Sequence, residues 1–243
     1  MSAPRGHLLR CCLARLEAVP AQVAARQSWP SLLQESADQS NHNFAARLTV
    51  RPHSRMERFF QFLLIASFIA LSWLSFMVVH EFGHVATAWL SGGSVSRVVL
   101  HPMQISWTAF ARNPHPQLVA WGGPVLGSLL PLGFLAAART FRSPGLYLFR
   151  FFAGFCLVAN GLYLLVDGFE RGGDGGTLLR HGASEWQLFA FAALAAPIGL
   201  WLWHGLGQHF GFGAAHGSVS HRAAITSACL LAFVVGIELA LYP

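Results

Sequence analysis

Apolar residues run through this chain in long blocks and not in alternation. The first block, FFQFLLIASFIALSWLSFMVV, covers about 59–79, and its helical pattern continues to Trp89 and Leu90. Gly92-Gly93 follows, placed to stop a helix as a C-cap does. Four further blocks fall at about 117–138, 146–166, 186–203 and 223–242. Each approaches the roughly 20 residues that a helix needs to cross about 30 Å of hydrocarbon. Between the first and second blocks, SVSRVVLHPMQISWTAF is rich in β-branched residues and partly alternates, so residues 94–110 read as short strands or a hairpin. The pattern predicts an all-α integral membrane protein of about five transmembrane helices, with a small strand-like or re-entrant segment after the first.

Composition strengthens that reading. Of 243 residues, 54% are hydrophobic and 11% are charged; an ordinary soluble domain carries about 25% charged residues. The formal charge is +6 and every basic residue is arginine. The arginines are scattered, many of them at the ends of apolar blocks, where they orient membrane spans. The bilayer is therefore the expected partner, and nucleic acid is not. Four cysteines with no C-x-x-C make neither a disulfide framework nor a redox motif. Residues 1–55 differ from the rest, being polar and rich in Arg, Ser, Gln and Ala. We expect them to be a disordered N-terminal tail, or a stretch upstream of a true start at Met56. Residues 56–243 are expected to form one polytopic membrane domain.

The chemistry lies at the end of the first block, where residues 80–84 read HEFGH. Residues four apart share one helix face, so His80 and His84 can each give an imidazole nitrogen to one ion. Glu81 lies beside them, placed to act as a general base toward water. Zinc suits nitrogen and oxygen ligands with one position left open. Ionisable residues inside a membrane span are costly and mark function; a bound dication would supply the positive charge that Glu81 lacks.

A catalytic zinc takes three protein ligands, so one more is needed. The acidic residues in or near later blocks are Asp167, Glu170, Asp174, Glu185 and Glu238. Asp174, in GGDGGTLL, ranks first because neighbouring glycines let backbone and carboxylate approach an ion closely. Asp167, at the end of the third block, ranks second. An Asp-Gly pair is also a common solvated turn.

Three elements, in order, resemble the site-2 protease family of intramembrane zinc metalloproteases, in its short, membrane-only branch. HEFGH with Gly92-Gly93 resembles the family's first core helix. WGGPVLGSLL resembles its Gly-Pro segment. Asn160 followed by Asp174-Gly175-Gly176 resembles its Asn and Asp-Gly-Gly block. The resemblance covers about residues 59–185. It implies His80, His84 and Asp174 as zinc ligands, Glu81 as general base, and Asn160, Gly175 and Gly176 as substrate-binding or supporting residues. It also implies a membrane-anchored protein substrate and a place in the cytoplasmic membrane of a bacterium. Here the interval from Asn160 to Asp174 is longer than is common in the family and holds an extra Asp-Gly at Asp167. Ser128 stands where the Gly-Pro segment usually has Asn.

Two other readings compete with an endopeptidase: a non-proteolytic metal-binding membrane factor of the same fold, and a small transporter. No inverted repeat favours the last. His204, His209, His216 and His221 are spaced by five and seven, do not share a helix face, and read as a polar loop. Trp186, Trp201 and Trp203 bracket the fourth block as an aromatic belt would. The Gly-rich stretch 168–176 and the segment 94–110 are expected to supply non-helical backbone around a wet cavity. The arginine distribution favours a cytoplasmic N-terminus, whereas the family's placement of zinc near the cytoplasmic face favours the reverse.

Overall fold

The computed structural model describes residues 55–241, so the expectation for the N-terminal stretch falls outside the described residues. The elements are α1 (Arg55–Leu90), β1 (Ser94–Val99), β2 (Trp107–Arg112), α2 (Pro116–Thr140), α3 (Leu146–Glu170), α4 (Gly173–Arg180), α5 (Glu185–Trp203) and α6 (His221–Leu241). Two short 3-10 turns, Leu206–Phe210 and Gly213–Ala215, link α5 to α6. Five of the helices, all but α4, are long and apolar enough to cross a membrane. The chain is an integral membrane protein, as its apolar blocks require. Phe62, Trp73, Leu129, Leu200 and Phe233 stand exposed on these helices, which is the expected state of a side chain whose solvent is lipid.

Helix α1 has 36 residues; at 1.5 Å per residue it is about 54 Å long, well beyond the hydrocarbon thickness. Gly92 ends it in the left-handed region at φ 78°, and the Gly93 N–H closes back on the Ala88 carbonyl at 2.7 Å. The chain then forms a two-stranded antiparallel hairpin, in which Ser94 pairs with Arg112 and Val99 with Trp107, with irregular register near Val95. This is the strand-like segment that the β-branched pattern predicts.

Helix α1 packs on α2 and α6, α2 packs on α3, and α3 packs on α5. The α1–α2 crossing depends on two glycines. A Cβ on Gly83 would strike the Gly122 backbone, and one on Gly122 would strike Thr87 and the Gly83 carbonyl. The two backbones therefore meet directly, as small residues allow between membrane helices. The belt expectation needs one correction. Trp186 and Trp201 are exposed, but Trp203 turns inward, and its indole N–H donates to the Phe151 carbonyl at 2.9 Å.

The Gly-rich stretch 168–176 also departs from expectation. It is helical except at a short break: α3 runs through to Glu170, Arg171 takes a left-handed C-cap at φ 57°, and α4 begins at Gly173. Gly-rich composition disfavours a helix, but tertiary contacts override it. Leu178 is fully buried in a cluster with Ala120 of α2 and Leu164 of α3. Gly175 lies against the backbone of Asp167 and Gly168, where a Cβ would not fit.

Candidate metal centre

His80 and His84 lie one turn apart on the buried face of α1, and Asp174 comes to them from the first turn of α4. One ligand atom from each lies within 4.8 Å of the others. His80 Nε2 is 3.0 Å from Asp174 Oδ2, His84 Nε2 is 3.2 Å from the same oxygen, and the two Nε2 atoms are 3.2 Å apart. The two histidines are buried.

The tautomers follow from the partners on the far side of each ring. His84 Nδ1 lies 2.8 Å from the Val119 carbonyl, which can only accept, so Nδ1 carries the proton. His80 Nδ1 lies 2.8 Å from Asn160 Oδ1. Asn160 Nδ2 donates to the Cys156 carbonyl at 2.9 Å, which fixes the amide's orientation and leaves its oxygen toward His80. In its neutral form each histidine therefore turns a bare Nε2 lone pair to the carboxylate oxygen of Asp174. Three acceptors in contact repel one another unless a cation or added protons lie among them.

The residues fit zinc on this observation. The donor set is two imidazole nitrogens and one carboxylate oxygen, and metal-ligating histidines usually anchor their other nitrogen in this way. A tetrahedral ion with bonds of about 2.0–2.1 Å separates its ligand atoms by about 3.3 Å, close to the spacings found here.

Gly123 of α2 lies directly beneath the site. A Cβ there would overlap the imidazoles of His80 and His84, so the Gly-Gly pair serves the crossing with one member and the metal centre with the other.

Glu81 is buried beside the ligands, and its carboxylate accepts two hydroxyls from the hairpin: Ser106 Oγ at 2.8 Å and Thr108 Oγ1 at 2.6 Å. A cavity of about 220 Å³ opens over this group; beside the ligands and Glu81, its walls include Ser106, Thr108, Phe110, Tyr163 and Thr177. Its walls mix these polar groups with apolar ones such as Trp107, Val119 and Ala120, and it has room for water.

Asp167, ranked second as a ligand, has a different place. Its carboxylate accepts the Asp174 backbone N–H at 2.9 Å, the Gly175 N–H, and the Tyr163 hydroxyl. It acts as a remote cap on the start of α4 and so sets where Asp174 stands. Asn160 is fully buried behind His80. Gly175 and Gly176 are buried where α4 touches the end of α3, next to Asp167 and Arg171; they shape the approach of α4 and do not line the cavity. Sequence reasoning missed Ser106, Thr108 and Tyr163. The S-x-T spacing carried the one available signal, since alternate strand residues share a face.

A family model described as Peptidase M50B-like matches residues 52–166. The model is of the site-2 protease family, and the segment it matches carries His80, Glu81, His84 and Asn160. The match ends before Asp174, whose place beside the histidines is shown by the fold. No curated protein and no solved structure matches the chain.

Proposed function

We propose that this chain is a membrane-embedded zinc endopeptidase that hydrolyses a peptide bond of a membrane-anchored protein, with the cytoplasmic membrane of a bacterium as its expected location. The observation that carries the reading is the convergence of two imidazole Nε2 atoms, each with its Nδ1 anchored to an acceptor, and a carboxylate oxygen beside a second buried carboxylate that faces a cavity.

His80, His84 and Asp174 would hold the ion. When bound, zinc supplies Lewis acidity toward water and toward the peptide carbonyl. Glu81 takes a proton from the attacking water as its oxygen bonds to the carbonyl carbon. It then gives that proton to the amine nitrogen as the carbon–nitrogen bond breaks. A general base in this role contributes about 10²–10⁴-fold. Asn160 and the Val119 carbonyl keep both imidazoles in the tautomer the site needs. Strand β2 lines the cavity with Trp107, Thr108 and Phe110 and has no further strand on its other side among the described residues. An unwound substrate lying there as an added strand would present its backbone to Glu81.

The test is zinc content beside cleavage of a single-span, membrane-anchored reporter, both in the same preparations. The native chain should hold about one zinc, as one set of ligands implies, and should cut the reporter. His80→Ala and His84→Ala should lose both properties. Full zinc retention in both variants would overturn the site. A zinc-loaded native protein that cuts none of a broad panel of such reporters would overturn the peptidase reading and favour a non-proteolytic factor.

A further inference from the structure

The general base is held by the hairpin as well as by its own helix. Ser106 stands just before β2 and Thr108 within it; their hydroxyls reach different oxygens of Glu81, at 2.8 and 2.6 Å. Alternate residues of an extended chain point to one face, so a single short segment presents both donors together. Register fixes that segment in turn: Thr108 is opposite Val98, and Trp107 is opposite Val99 on β1. Thr108 is β-branched and stiff about χ1, which suits a fixed donor.

A glutamate on a helix has three rotatable side-chain bonds, and α1 alone does not decide where its carboxylate lies. Two hydroxyls on two oxygens fix both the position and the plane of the group. They leave it competent, because an ionised carboxylate has about four acceptor sites and only two are used. The unused lone pairs belong to a group that faces the cavity where water and substrate would meet.

We propose that Ser106 and Thr108 are positioning residues, which hold the Glu81 carboxylate in the orientation that accepts a proton from water. The hairpin is thus part of the catalytic machinery and more than a wall of the cavity. The proposal rests on the reading of Glu81 as the base.

The experiment uses the full chain in detergent with zinc bound. Thr108→Val keeps shape and removes the hydroxyl, Ser106→Ala removes the other, and Thr108→Ser restores an Oγ. Three quantities are measured: zinc content, kcat and KM on the reporter, and the infrared carboxylate band of Glu81, isolated by subtracting the spectrum of Glu81→Gln. Hydrogen bonds to charged groups are strong enough that losing one hydroxyl should lower kcat about tenfold and losing both about a hundredfold. KM should stay within about threefold, since substrate is not what the hydroxyls hold. The band should shift in Thr108→Val and return in Thr108→Ser, with zinc retained throughout.

Unchanged kcat in a zinc-loaded double variant would overturn the proposal. A raised KM with unchanged kcat would also overturn it by assigning the hydroxyls to substrate, and loss of zinc would do so by making them structural. The band is read without substrate, so it decides the contact even if no reporter is cut. A band that shifts in Thr108→Val, when the native protein cleaves nothing, would count against the peptidase reading and for the contact of the hydroxyls with Glu81.

Discussion

Replacing Asp174 with alanine removes the one anionic donor among three converging acceptors, and two imidazoles alone leave a catalytic zinc a ligand short. Replacing Asp167 with asparagine removes something smaller. Asp167 supports the site through the Asp174 and Gly175 N–H groups and Tyr163. A hydrogen bond to a charged acceptor is worth about 1.5–3 kcal/mol, against about 0.5–1.5 kcal/mol for a neutral one. Asparagine keeps a carbonyl oxygen for the N–H groups, so the expected loss is about 1–2 kcal/mol, or about 5- to 30-fold in zinc affinity. That range overlaps the 10–100-fold typical of groups that support a metal ligand from behind. Elemental analysis after gel filtration gives the stoichiometry, and competition with a chelator of known affinity gives the constant. Asp174→Ala should come off the column without zinc and without activity. Asp167→Asn should keep its zinc but yield it to weaker chelators. The reverse pattern, an empty Asp167→Asn beside a loaded Asp174→Ala, would refute the assignment of the third ligand.

The remaining predictions use the same measurements. Glu81→Gln should hold zinc as tightly as the native chain yet lose cleavage by about 10²–10⁴-fold, since the base moves a proton and does not hold the metal. Asn160→Leu should weaken zinc about 10–100-fold, because it removes the acceptor that fixes the His80 tautomer. Gly123→Ala should abolish zinc binding while circular dichroism shows native helix content, since the added methyl meets the imidazoles and not the fold's main packing. Normal zinc content in that variant would refute the placement of α2 against the ligands.

The membrane fold was legible because hydropathy is additive along the chain. Twenty apolar residues announce a span without any knowledge of what surrounds it, and all five blocks became helices. The hairpin was legible for a related reason, since β-branched alternation is a local signal. Helix α4 was not, because GGDGGTLLR has the composition of a loop and is made helical by neighbours distant in sequence: the Asp167 carboxylate at its start and the burial of Leu178. The sequence ranks Asp174 above Asp167 as the third ligand, but the separate role of Asp167 was hidden for the same reason. Both are Asp-Gly pairs near the end of a span, and only the fold shows that one carboxylate faces two imidazoles while the other faces backbone N–H groups. His80 and His84 were the easiest ligands to read, because a single helix places both.

Their third partner has a different history. His80 and Asp174 are 94 residues apart, with the hairpin and two membrane helices between them. As the chain emerges from a ribosome, α1 enters the bilayer carrying both imidazoles and the base while the final ligand has yet to be made. Under the proposed function, zinc uptake would thus be a late step of biogenesis. It would wait for α2, α3 and α4 to dock, and would then fasten the first described helix to a later one across a long loop, where a cross-link most restricts the unfolded chain. Under the proposed function, a newly made molecule would stay inert until its fold is almost complete, so that no half-assembled site is loose among its membrane neighbours.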